Sequence, residues 1–137
     1  MNYREFFSKI DFKAVFLGFI IDWVSTQVFA VFYYGIWYRY FLSKDFTAEY
    51  IEQTVSQGMI KNISILIGLF FTALGAYFAM RFSEKKHIYT AIMVGVFSLA
   101  SSISYIMEET LMYKLIAIFF VIPVAYLGGK VYLKKNT

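Results

Sequence analysis

The chain reads as an all-α integral membrane protein, a bundle of four transmembrane helices, and three observations predict this. Its 137 residues are 60% hydrophobic and 16% charged, whereas a soluble domain is about half apolar and a quarter charged. The apolar residues fall in long continuous runs, which a chain this short could not cover with polar surface in water. Lys and Arg gather at the ends of alternate runs. The length fits a single domain. One proline and few turn clusters argue against an all-β chain, where turn signals recur every ~8–12 residues. An outer-membrane barrel would show ~10-residue alternating segments rather than unbroken runs.

A transmembrane helix needs ~20 mainly apolar residues. Four segments meet that requirement: about Ala14 to Tyr34 (extendable to Tyr38), Asn62 to Met80, Ile88 to Met107 and Met112 to Leu133. Arg4, Lys9 and Lys13 give the first segment the flank of a signal peptide. Its apolar run is too long for a typical signal core, and no clear small-residue cleavage site follows it, so it is read as a retained span. With four spans, nine cations share one side: Arg4, Lys9, Lys13, Arg81, Lys85, Lys86, Lys130, Lys134 and Lys135. Four lie on the other: Arg39, Lys44, Lys61 and Lys114, together with Asp45, Glu49, Glu52, Glu108 and Glu109. Cytoplasmic loops are enriched in Lys and Arg. Both termini and the short middle loop are therefore expected in the cytoplasm, with the chain multi-pass in the inner or plasma membrane.

The segment from Gly35 to Ile60 is the one sizeable stretch expected outside the bilayer. It is approached through Tyr33, Tyr34, Trp37, Tyr38, Tyr40 and Phe41, the residue types that favour the headgroup layer. Beyond Asp45, apolar residues recur at Phe46, Tyr50, Ile51, Val55 and Met59, which is helical spacing. This predicts either a short amphipathic helix at the outer surface or an early start to the second span.

Small residues let helices approach closely in lipid. Gly68, Thr72, Gly75 and Ala79 form one stripe on the second span, and Ala91, Gly95, Ser98 and Ser102 a matching stripe on the third. Gly18 on the first span and Gly128 and Gly129 on the fourth complete the expected packing set. Ala14-x-x-x-Gly18 and Ala91-x-x-x-Gly95 begin the two hairpins, and Leu74-Gly75-Ala76 and Leu127-Gly128-Gly129 end them, a pattern that fits a duplicated hairpin. Pro123 removes a backbone hydrogen bond to Phe119 and is expected to kink the fourth span.

The chain has no cysteine and one histidine, His87. That excludes disulfides and thiolate chemistry and leaves no expected metal site or cofactor. No paired carboxylates or nucleophile–base pair is visible, so no enzyme is expected. Basic residues sit at the ends of apolar runs rather than on one face, which argues against nucleic-acid binding.

One residue stands out. Asp22 lies about eight residues into the first span, roughly 12 Å deep at 1.5 Å per residue. A charged Asp at the centre of a span costs ~2.5–3.5 kcal/mol, so it must face protein, water or a proton. Ala14, Gly18 and Ser25 share its face, and Thr26 is one turn on. Thr72 and Ser102, with Ser98, Ser101 and Ser104, are the hydroxyls available at similar depth. Asp22, Ser25, Thr26, Thr72 and Ser102 therefore form the candidate proton or cation site, since intramembrane carboxylates are functional candidates by default. Two functions follow. The first is a structural or accessory protein acting through helix packing in lipid, with itself or with a membrane partner. The second is a small proton- or cation-coupled transporter or channel subunit using Asp22.

Overall fold

Side-chain caps set the starts of two helices of this chain. In the computed structural model, which describes residues 3–109 and 111–136 (the side chains of 104–108 excepted), a short α1 (Tyr3–Ser8) leads to Asp11. Asp11 is extended, with φ −99° and ψ 94°, and its carboxylate accepts from the Ala14 amide at 3.3 Å. That satisfies one of the amides a helix start leaves without a partner and launches α2 (Phe12–Leu42). Thr47 starts α3 (Ala48–Val55) in the same way. Then follow α4 (Gly58–Phe82), α5 (Ile88–Glu108) and α6 (Leu111–Asn136).

The described residues form six helices and no strand. Three of them, α2, α4 and α6, are long and apolar enough to cross a membrane. Their 31, 25 and 26 residues correspond to roughly 46, 37 and 39 Å, against a hydrocarbon core of ~30 Å. The apolar stretch of α5, Ile88–Ile103, is shorter. Large apolar side chains face outward along the long helices: Val31, Phe32, Leu66, Phe70 and Phe119 are each at least 60% exposed. A water-soluble monomer rarely tolerates such continuous apolar surface.

Several boundaries differ from those expected. The first long helix does not stop near Tyr34 or Tyr38 but continues to Leu42, because nothing before Ser43 breaks it. The following segment adopts both alternatives: a separate short α3, and an α4 that begins at Gly58, where φ is +64°, rather than at Asn62. Ile51 is the fully buried anchor of α3. Tyr33 donates to the carbonyl of Ile60 at 3.1 Å and Tyr34 to Ser64 at 2.9 Å, fastening α2 to α4 below it. Pro123 lies inside α6, which runs unbroken through it, and its ring is exposed.

α4 is the central helix. It packs most extensively on α2 and α6, while α5 packs mainly on α6 and more lightly on α4 and α2. The two ends of the molecule differ. At one end, the base, lie the start of α2, the end of α4, the start of α5 and the end of α6. Here Val15, Ala76, Ala79, Met80, Ala91 and Val94 are buried in one cluster. Small residues bring the helices close. A Cβ on Gly18 would lie 2.6 Å from both Ala79 Cβ and the Gly75 carbonyl, and one on Gly95 would lie 2.8 Å from Ala125 Cβ. Gly128 abuts the backbone of Ala73, and Gly129 abuts Ala91. Toward the opposite end, the mouth, a cavity lies between the helices.

Asp11 ties the base together. Besides capping α2, its carboxylate accepts from the Glu84 amide at 3.0 Å, and its own amide donates to Thr90 Oγ1 at 3.2 Å. Lys85 Nζ donates to the Ile10 carbonyl at 2.8 Å. Partial burial pushes the Asp11 carboxyl pKa up. The amides of Ala14 and Glu84, the Ser83 hydroxyl and the Lys85 charge outweigh this and leave it below the ordinary value. A carboxyl whose folded pKa is depressed contributes stability that is present above its unfolded pKa, ~3.9, and lost as pH falls through the folded value. Asp11→Ala is therefore expected to cost ~0.5–2 kcal/mol at neutral pH. Melting curves in detergent should show the gap between variant and parent shrinking once pH drops below about 4. A gap that stays constant with pH would remove the carboxylate's charge from the base.

Candidate functional site

Asp22 is reached from the helix rule that put it there. It is ten residues past Phe12, roughly 15 Å along α2, and one turn above Gly18 on the same face. Gly18 lets α2 lie directly against Gly75 of α4, so the Asp22 side chain points into the bundle rather than outward; only 5% of the residue is exposed. Three hydroxyls donate to its carboxylate: Thr26 to Oδ1 at 3.4 Å, Thr72 to Oδ2 at 3.1 Å, and Ser98 to Oδ2. They come from α2, α4 and α5, so one carboxylate joins three helices.

No cation pairs with Asp22 among the described residues, whose two ion pairs are Lys9–Glu5 and Lys61–Glu109. A buried charge without a partner costs several kcal/mol. An ionised Asp22 would therefore lack a counter-charge among the described residues.

The Thr72 hydroxyl can bond Asp22 in either protonation state. Its hydroxyl has one hydrogen and two acceptors in reach, Asp22 Oδ2 at 3.1 Å and the Gly68 carbonyl at 3.2 Å. With Asp22 ionised, Thr72 donates to it. With Asp22 protonated, the new O–H donates to Thr72 Oγ1, and Thr72 turns its hydrogen to Gly68. Every partner is satisfied in both states, so protonation need not disturb the packing.

Asp22 also forms the floor of a cavity of about 320 Å³ that extends toward the mouth. All four of the longer helices line it: Trp23 and Thr26 from α2, Leu69 from α4, Ser101 from α5 and Tyr113 from α6 are among the walls. At its far end Lys61 pairs with Glu109, sits 4.6 Å from the centroid of the Tyr113 ring, and so bridges α4 to the turn before α6. Tyr113 in turn donates to Asn62 Oδ1 at 2.9 Å. Thr72 and Lys61 are eleven residues apart on α4, about 16 Å, which is the depth of the cavity along that helix. Lys61 and Glu109 also border a second, more open cavity of about 710 Å³ beneath α3, edged by Glu49 and Glu52. The ion pair is the partition between the two.

The structure brings Asp22, Thr26 and Thr72 together, as the sequence reading grouped them. Ser102 lines the cavity but donates to the Ser98 carbonyl at 2.8 Å, not to Asp22. Ser25 is half-buried and does not border the cavity. Ser98, expected both on the packing stripe and among the hydroxyls at that depth, is a direct partner of Asp22. Ser104 lies outside the described side chains. Gly68 differs most from expectation: a Cβ there would meet nothing within 4 Å. It borders the cavity rather than a neighbouring helix. The Lys61–Glu109–Tyr113 group was not foreseen as a unit. Its signal was available in the sequence, a cation and an anion at the same end of antiparallel spans. No group of three or more metal-binding side chains occurs among the described residues.

Comparison with known proteins finds no matching family model, no matching curated protein and no matching solved structure.

Proposed function

We propose that this chain is a small multi-pass membrane protein that takes up a proton or a cation at Asp22 through a cavity open toward one face, acting as a cation-coupled transporter or channel subunit. The observation that carries the reading is the cavity ending on a buried carboxylate that has three hydroxyl donors and no basic partner. A residue serving only to lock helices gains nothing from a water-sized path leading to it. A coupling group needs such a path, and it needs to exist in two protonation states, which the Thr72 hydroxyl accommodates.

In this reading α5 is the fourth span, completing the bundle of four with both termini cytoplasmic. The base faces the cytoplasm and the mouth faces outward. The charge asymmetry of the loops supports that orientation, and the aromatic rings of Trp37, Phe41, Phe46 and Tyr50, which stack around α3, suit the outer headgroup layer. Single cysteines at two exposed positions, Glu84→Cys at the base and Thr47→Cys near the mouth, test it. An impermeant thiol reagent added to intact cells should label Thr47→Cys alone. Labelling of Glu84→Cys from outside would reverse or break the topology.

The site itself is tested by the infrared carbonyl band of Asp22, isolated by subtracting the Asp22→Asn spectrum. A coupling group must gain and lose its proton within the working range, roughly pH 5 to 8. The band should therefore change across that range and shift promptly on transfer to D₂O. A carboxyl that keeps one state up to about pH 9 and does not exchange would sink the proposal and leave Asp22 a structural hydrogen-bonding residue.

A further inference from the structure

The walls of the cavity carry information about its occupant that the carboxylate alone does not. Divalent metal ions are poorly served: one carboxylate cannot balance two charges, and the remaining polar groups at the floor are neutral hydroxyls. A hydrated monovalent ion would fit, since 320 Å³ is room for about ten waters at ~30 Å³ each. Yet most of the lining gives such an ion nothing. Phe19, Trp23, Ile65, Leu69 and Ile116 are apolar or aromatic walls, which reward a ligand that has hydrocarbon to bury.

The chain already shows how it holds such a group. At the mouth, the Lys61 ammonium, carried on a hydrocarbon stem, is bonded to the Glu109 carboxylate and lies over the Tyr113 ring at 4.6 Å. A carboxylate and an aromatic face together recognise an ammonium, since the ring's negative face attracts the cation. The same pair of features recurs deeper in, where Asp22 has no cation partner among the described residues and Phe19 and Trp23 line the same cavity. The wider cavity outside the partition repeats the preference for positive charge, with Glu49, Glu52 and Glu109 against Lys61, a distribution that raises local cation concentration.

We infer that the cavity binds a small organic monocation, an alkyl- or arylalkylammonium, with its charged end on Asp22 and its apolar body against Trp23 and Phe19. This rests on the reading of Asp22 as a cation site and names the class of ion that site takes. The ammonium replaces the missing counter-charge, and the hydroxyls of Thr26, Thr72 and Ser98 keep their bonds to the carboxylate.

The experiment uses the whole chain in nanodiscs. The chain has two tryptophans, Trp23 in the cavity and Trp37 outside it, so Trp37→Phe leaves Trp23 as the sole reporter. Benzylammonium, its uncharged analogue benzyl alcohol, sodium chloride and potassium chloride are titrated separately against Trp23 fluorescence. Benzylammonium should give a saturable change, at least tenfold tighter than benzyl alcohol, and Asp22→Asn should erase that difference. The benzyl alcohol comparison needs no variant, so the test stands even if Asp22→Asn folds poorly. Equal affinity for benzylammonium and benzyl alcohol overturns the inference. So does saturation by sodium or potassium at concentrations where benzylammonium is silent, a result that would still leave Asp22 a cation site. Silence toward every cation, joined to an infrared band that neither titrates nor exchanges, overturns the inference and the function proposed above together.

Discussion

Gly128→Leu is expected to melt the protein at temperatures where the parent chain is stable in mild detergent. A Cβ at this position would run into the backbone of Ala73, with the carbonyl carbon and Cα at 2.8 and 2.9 Å and the carbonyl oxygen closer still. A clash with a side chain is relieved by a rotamer change, but a clash with the middle of a helix is relieved only by moving the helix. α4 is the helix on which α2 and α6 both rest, so separating α6 from it opens the base. Overpacking typically costs ~1–3 kcal/mol, and this substitution should reach or exceed the top of that range. Gly68→Ala supplies the contrast. Its new methyl meets nothing within 4 Å, and replacing glycine within a helix recovers ~0.5–1 kcal/mol, so it should melt at or above the parent. If thermal unfolding ranks the two variants in the opposite order, α4 and α6 do not meet as described.

The largest functional effect is expected at Asp22. Proteoliposomes loaded with a pH-sensitive dye should report a proton flux when sodium, potassium or benzylammonium is added outside, and Asp22→Asn should abolish the cation-dependent part. Asparagine keeps the size; its Oδ1 can accept from Thr72 and Ser98 while its Nδ2 donates to the Thr26 hydroxyl, so the variant should fold and melt close to the parent. Asp22→Leu removes all three hydrogen bonds. At an average of ~0.6 kcal/mol each in a membrane, it should lose roughly 2 kcal/mol of stability as well as the flux. A parental flux that survives in Asp22→Asn would take the carboxylate out of the pathway. The split between the two variants also separates the roles: a merely structural Asp22 would show its loss in melting temperature alone.

Much of this architecture could be read from periodicity, because lipid and water impose opposite demands on a chain. The helical segments, the inward face of Asp22 and the partnership with Thr72 all follow from helical spacing and from the cost of leaving a carboxyl in hydrocarbon. What could not be read is where helices separate. Gly68 and Gly75 are seven residues apart and look alike in sequence, yet Gly75 abuts the Gly18 carbonyl, with a Cβ there only 2.5 Å from it, while Gly68 borders open space. Small residues permit contact; they do not compel it, and where a cavity opens along α4 is a property of all the helices together. Ser98 was legible both as a stripe residue and as a hydroxyl at the depth of Asp22; what spacing could not give is that it, and not Ser102, reaches the carboxylate. The length of α2 was missed for a different reason. The aromatic residues after Tyr34 favour an interface, but an interface does not end a helix, and the turn at Ser43 to Asp45 does.

The one-ended packing has an electrical consequence. A membrane potential falls across whatever insulates, and water conducts. If the cavity above Asp22 fills with water from the outer side, the voltage does not decline evenly over ~30 Å of hydrocarbon. It falls mainly across the close-packed plug of Gly18, Ala76, Ala79, Ala91 and Met80 between Asp22 and the base, which Asp11 and the α4–α5 loop close. In the orientation and function proposed above, a cation arriving at Asp22 from outside would cross little of the field, and one leaving toward the cytoplasm would cross nearly all of it, worth ~2.3 kcal/mol per 100 mV for each elementary charge. Loading would be set by concentration and unloading by voltage, a rectifying arrangement built from alanines and glycines rather than from any charged sensor.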